Sequence, residues 1–229
     1  MKKIILALLI ATSMSVNFMY SQEKQSETTE KTGEIVSPSK EMQTIILAGQ
    51  LAKYGYENNS ATALIQAAEL YLSVGSQDFQ PDSFEQGKGE ETTKDAFVSL
   101  DPKQILDDAK ILADGDQAYL AMIEKVAKAS PSRGAVGGPK RAVHQVRAKS
   151  TDTFTVKFFS NERATVVVSG DGDTDLDLYI YDEIGNLIAK DDDYSDDCIV
   201  NWFPKWTGQY EIRVVNRGNV YNEYVIATN

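Results

Sequence analysis

The chain has one cysteine and one histidine in 229 residues, and each scarcity removes a class of chemistry. Cys198 has no partner for an internal disulfide, so stability has to come from ordinary apolar cores. It stands beside "IVNWF" in an expected strand, where a thiol packs as a small inert hydrophobe. Any Ser-His-Asp or Cys-His arrangement would have to use His144, which lies where linker-like sequence meets strand-like sequence. No serine occupies a Gly-x-Ser-x-Gly turn, and an ordinary zinc site wants several His or Cys ligands. Carboxylates for glycoside hydrolysis are abundant, but sequence does not give their separation. The chain reads as non-enzymatic.

Positive charge is short as well. Lys and Arg total 23 against 34 Asp and Glu, a formal net charge of -11, which argues against binding the phosphates of nucleic acid. Long apolar runs are missing except at the start. There, Lys2 and Lys3 precede an apolar stretch from Ile4 to about Ala11, the layout of a secretory signal and too short to span a bilayer. Residues 1–21 are expected to be removed near Ser21 or Gln22, which takes the formal charge to -13. No cysteine follows the run, so a lipoprotein anchor is excluded, and no membrane span is expected in the mature form. The expected location is secreted or periplasmic.

Residues 22–39, rich in Glu, Lys, Ser and Thr, read as a disordered leader. From 40 to 129 the apolar period is helical. "EMQTIILAGQLAKYGYE" places Ile45, Leu47, Ala48, Leu51 and Ala52 on one stripe, and Asn59 or Ser60 caps "ATALIQAAELYLS", closed by Gly75. Asp101 and Pro102 open a third helix that Gly115 ends, and Asp116 opens a fourth. The helices are expected to form hairpins. Between the pairs, 76–99 is polar and long for a connection, either a mobile loop or an insertion. Residues 130–141, "SPSRGAVGGPKR", read as an interdomain linker. From 142 to 229 seven or eight short strands with turn signals indicate an antiparallel β-sandwich. The expected fold class is α+β, helical hairpins followed by the sandwich, in two separately folding parts.

"SGDGDTDLDLYIYDE" is the main chemical signal. Asp171, Asp173, Asp175, Asp177 and Asp182 match the spacing of an EF-hand loop, but Leu176 stands where that loop needs glycine. The residues from 173 onward alternate instead, with Leu176, Leu178 and Ile180 on one side of a strand. Between 171 and 197 eleven acids face a single base, Lys190, a density that repels itself unless something compensates. Hard oxygen ligands suit Ca²⁺, and the candidate metal ligands are Asp173 and Asp175 with Asp191, Asp192 and Asp193, leaving Asp177 to brace the adjacent turn. The other reading has these acids capping turns and forming a solvated strand face. Trp202, Phe203, Trp206 and Tyr210 make an aromatic cluster, in which Trp202 is expected inside and Trp206, in the turn, is the candidate ligand contact for a sugar ring or peptide.

The ordered stretches "TDLDLYIYDEIGNLIAKDDD", "IVNWFPKWTGQYEIRVVN" and "YVIATN" resemble the bacterial pre-peptidase C-terminal domain family over about 140–229. The resemblance implies a jelly-roll-like β-sandwich acting as a non-catalytic accessory domain of exported proteins, some of whose relatives bind calcium or extracellular polymers. It does not extend to the helical part, and no peptidase domain precedes it here. The expected function is an exported binding or scaffolding protein, with a protein or extracellular polymer as partner. The alternative is an accessory subunit or fragment working with a secreted peptidase or polysaccharide hydrolase.

Overall fold

The computed structural model describes residues 38–74, 79–87, 92–94, 97–128 and 139–229. The expected signal peptide, nearly all of the leader and most of the 130–141 linker lie outside these residues, as does Gly75.

Each helix starts where a side-chain oxygen takes an orphan backbone N–H. Ser39 accepts from Met42 N ahead of α1 (Lys40–Glu57) and Ser60 from Ala63 N ahead of α2 (Ala61–Ser73), both at 3.3 Å. Asp101 accepts Lys103 N at 2.9 Å and Gln104 N at 3.0 Å ahead of α3 (Pro102–Leu112). Asp116 accepts Ala118 N at 2.7 Å as α4 (Gln117–Lys128) begins.

The strands form two sheets in which every pairing is antiparallel. One runs β1 (Ser83–Glu85), β3 (Thr151–Phe158), β8 (Gly208–Asn216), β5 (Leu176–Asp182), β6 (Leu187–Asp191) in spatial order. The other runs β2 (Lys140–Val146), β9 (Asn222–Thr228), β4 (Ala164–Gly170), β7 (Asp197–Trp202). Inward residues of both sheets, among them Phe154, Val156, Leu178, Ile212, Val166 and Ile226, share one buried cluster. The arrangement is α+β with sandwich-like sheets.

Alternation explains where the helices sit. In β4, Val166 and Val168 enter the cluster between the sheets, while Val167 faces the other way. In β9, Tyr224 and Ile226 do the former and Val225 and Ala227 the latter. The outward trio is buried with Ile45, Ala48, Leu64 and Tyr71 of α1 and α2. Strands covered on both faces read as continuous apolar runs, which is why "ATVVV" and "YVIA" lack polar alternation. Each Val or Ile among them contributes about 1.5–3 kcal/mol on burial. Gly49 permits the contact, because a Cβ there would lie 2.4 Å from Ser169 Oγ.

The interval 76–99 is expected from its sequence to be either a mobile loop or an insertion. Where described, it belongs to the strand-built part: Ser83–Glu85 pairs with β3 as an edge strand. Phe79 packs on Phe154 at a ring separation of 4.8 Å, and its carbonyl is 2.8 Å from His144 Nε2. Three residues of strand and one anchoring ring are too few to show a period in the sequence. Residues 40–129 are therefore not purely helical.

Candidate functional site

Loops of opposite character cap the two ends of the strands. At the first end lie the turn after β4, the turn between β6 and β7, and the turn between β8 and β9. Gly170 N donates to Asp196 O at 2.8 Å, Leu176 N to Ser195 O at 3.1 Å, and Asn222 Nδ2 to Thr174 Oγ1 at 3.0 Å, so the three turns are tied together. This places Asp171, Asp173, Asp196 and Asp197 near one another, and the compensation their charge requires comes from lysines outside the sheets.

Lys53 of α1 reaches Asp197 at 3.0 Å and Asp196 at 3.3 Å. Burial pulls the Lys53 pKa down, but Asp197 and Asp196 outweigh it and hold the group above the ordinary lysine value. Lys94 pairs with Asp171 and, at 2.6 Å, with Asp173, and its ammonium sits 4.3 Å from the centre of the Tyr221 ring. Burial pushes the Asp171 carboxyl above its usual range, against the hydrogen bonds it takes from Lys94 and from Glu223 N. Glu223 closes the same end, accepting Leu100 N at 2.6 Å, Ser99 Oγ at 3.0 Å and Gln145 Nε2 at 3.1 Å.

Four of the five expected metal ligands are engaged separately. Asp173 meets Lys94, Asp191 accepts Ile199 N at 2.8 Å, Asp192 pairs with Lys190 at 2.5 Å, and Asp193 accepts Ser195 N at 2.9 Å. Asp175 has one buried oxygen without a hydrogen-bond partner. Among the described residues no three carboxylates, imidazoles or thiols converge where a metal ion could be held. Asp177 does not brace the hairpin as expected: it pairs with Arg217 at 2.5 Å and accepts the Tyr179 hydroxyl at 2.9 Å. That role falls to Asp182, which accepts Ile184 N at 3.0 Å and Asn186 N at 2.8 Å around Gly185, whose φ is +87°.

At the other end, the turn after β3 is bonded to the turn after β7. Asn161 N donates to Pro204 O and Ser160 N to Thr207 Oγ1, each at 2.9 Å, and Ser160 Oγ to Lys205 O at 3.0 Å. The joined tip presents Phe159, Phe203 and Trp206, with fractional exposures of 53%, 56% and 38%. Directly beneath, Phe158, Trp202 and Tyr210 form a buried aromatic set, Phe158 meeting Trp202 edge-on at 4.7 Å. The Tyr210 hydroxyl donates to the Trp206 carbonyl at 3.3 Å, so the turn that carries Trp206 is anchored to the core. Trp202 is inside and Trp206 outside.

The two groups that a Ser-His-Asp or Cys-His arrangement would draw on are held in packing. His144 lies against Phe154 and Tyr224 at ring separations of 5.5 and 6.0 Å. The Cys198 thiol, pushed well up by burial, donates to Leu176 O.

Sequence reasoning missed Lys53, Lys94, Arg217 and Glu223. Arg217 stands two residues beyond the apolar end of β8, Lys53 and Glu223 are single charges within largely apolar or aromatic helix and strand sequence, and Lys94 lies in a polar run, so nothing in the linear pattern pairs them with distant acids.

No family model matches the sequence, and no curated protein matches it. Among solved structures, part of the chain is similar to the pre-peptidase C-terminal domain of a Bacillus anthracis collagenase, at 14% identity over 39% of this chain and 89% of that one, TM-score 0.31. It is similar to a periplasmic inhibitor of g-type lysozyme from Aeromonas hydrophila, at 14% identity over 42% and 90%, TM-score 0.34. A carbohydrate-binding module of a Cellvibrio mixtus lichenase, solved with cellotriose, gives 11% identity over 42% and 80%, TM-score 0.27. Likenesses this low carry no argument about what this chain does.

Proposed function

We propose that this chain is an exported, non-catalytic binding protein, secreted or periplasmic, whose jelly-roll-like strand part is an accessory module that holds an extracellular polymer at its aromatic end. The observation that carries this is the joined tip of Phe159, Phe203 and Trp206, exposed together on turns fixed to a buried aromatic base. Exposed rings gathered at one place mark a contact surface more often than scattered ones do. Flat ring faces beside the hydroxyls and amide of Ser160, Thr207 and Asn161 suit a saccharide chain, whose C–H faces stack on aromatics while its hydroxyls take hydrogen bonds. The commitment of His144 and Cys198 to packing supports the non-catalytic reading. The helices, seated on the four-stranded sheet, leave the aromatic tip unobstructed in this reading and serve as scaffold.

The test is native affinity electrophoresis of the full mature chain through gels that contain soluble cell-surface and plant polysaccharides. At least one polymer should retard the protein, and Trp206→Ala with Phe203→Ala should remove the retardation while leaving the melting temperature unchanged. A double variant retarded as strongly as the parent, or no retardation by any polymer, overturns the proposal.

A further inference from the structure

The Lys94 contact holds a lysine amine and the Asp171 carboxylate out of water, with the partly exposed Asp173 carboxylate beside them. Lys94 is 7% exposed in its side chain and Asp171 0%. Asp173, also in contact with the amine at 2.6 Å, is the more exposed of the two acids. Both Asp171 oxygens accept a backbone N–H, one from Glu223 at 2.7 Å and the other from Asp173 at 3.3 Å. The amine lies over the Tyr221 ring, which closes one side of the site. A nucleophile, an electrophilic carboxyl, a second carboxylate able to carry protons, and donors aimed at the reacting oxygens are therefore in place.

We propose that Lys94 and Asp171 condense into an intramolecular isopeptide bond, with Asp173 as the acid–base group. Asp173 takes a proton from the Lys94 ammonium, and the freed Nζ lone pair attacks Cγ of Asp171. The backbone N–H groups of Glu223 and Asp173 stabilise the oxygen charge that develops as Cγ becomes tetrahedral. Asp173 passes the proton to the departing oxygen, the Cγ–O bond breaks, and the amine's second proton leaves with it. One Cγ–Nζ bond forms, one Cγ–O bond breaks, and one water is released; no oxidant, reductant or outside reactant takes part.

Two physical arguments favour the step. Two charges held away from water are costly, and an amide replaces both with a neutral, hydrogen-bonding group. The reacting groups are already in contact, so the entropic part of the barrier is met by the fold. The bond would also do what the single cysteine does not. It closes a loop that contains α3, α4, β2, β3 and β4, restricting the unfolded chain as a disulfide over the same span would.

The experiment is intact mass measurement of the full purified chain under denaturing conditions, with peptide mapping by tandem fragmentation. The parent should be lighter than its sequence requires by one water, and digestion should give one branched peptide joining Lys94 to Asp171. Lys94→Arg, which keeps the positive charge but removes the amine that condenses, should have the full mass of its sequence. Asp171→Ala should also have its full mass. Asp173→Ala should retain Lys94 and Asp171 unjoined; condensation at the parent's level in that variant overturns the role given to Asp173. A parent at its full sequence mass, with Lys94 and Asp171 recovered on separate peptides, overturns the proposal.

Discussion

At one end of the strands, Lys53 and Lys94 lie against four aspartates, whereas at the other Phe159, Phe203 and Trp206 face water. Both ends are built from turns of similar length, and both are rich in residues that suggest binding. The difference lies in whether the rest of the chain has already occupied them. The acidic end is neutralised from within, by an amine on α1 and another on the segment that crosses between the helical pairs. The aromatic end is fixed from beneath and, among the described residues, left open. A dense patch of charge in sequence thus marks an internal joint here, while the smaller aromatic patch marks the surface.

The comparison depends on one body carrying both ends, and the largest expected effect tests that. Ile45→Ala, in the cluster shared by α1, α2 and the outer face of β4 and β9, should cost about 2–5 kcal/mol. Helical and strand signals should be lost in one urea transition, followed by far-ultraviolet circular dichroism together with Trp fluorescence. Two separated transitions would show that the parts fold independently, as the Gly/Pro-rich linker suggests.

Lys53→Met should cost about 1–3 kcal/mol, because it leaves the buried Asp196 and the half-buried Asp197 without their cation. Urea midpoints measure this, and a midpoint equal to the parent's would mean that the acidic end is not held by the lysine.

A smaller effect concerns pH. Burial raises the Asp191 carboxyl above the ordinary value of 3.8, with Asp193 and Asp192 adding to the shift and Ile199 N opposing it. The folded chain then holds this proton more tightly than the unfolded chain. Its contribution to stability is full below the ordinary value and is lost as pH rises through the folded one. Asp191→Asn keeps an acceptor for Ile199 N and should reduce the gain in stability seen as pH falls from neutral towards that range. An unchanged pH slope in urea titrations would contradict the assignment.

The smallest expected effect is that of calcium. With Asp171, Asp173, Asp196 and Asp197 already paired with lysines, calcium chloride is expected to raise the melting temperature no more than sodium chloride at equal ionic strength. A clear excess with calcium would restore the metal site read from the Asp run.

The elements were legible wherever the chain itself carries the cause. Ser60, Asp101 and Asp116 cap helices by local hydrogen bonds, and the eight strands from Lys140 onward announce themselves by β-branched runs between turn residues. The alternation of Leu176, Leu178 and Ile180 placed β5 correctly and disposed of the EF-hand loop. What the sequence could not show were pairings across long separations. Asp173 looks the same to a reader whether a metal or Lys94 faces it, and Asp177 the same whether it meets a turn or Arg217. The outward Val167 and Val225 likewise do not name the helices that cover them. At the aromatic end the split between Trp202 and Trp206 was readable, because period two and a Pro/Gly turn are local signals.

The most direct test sets the two ends against each other in one binding measurement. A polymer that retards the parent in affinity electrophoresis is titrated against the parent, against Trp206→Ala with Phe203→Ala, and against Lys53→Met. The aromatic variant should lose binding by about a hundredfold, roughly 2.7 kcal/mol, with its melting temperature intact. Lys53→Met, though less stable, should bind as the parent does at a temperature where it is folded. Loss of binding in Lys53→Met with full binding by the aromatic variant would place the contact surface at the acidic end and contradict the account.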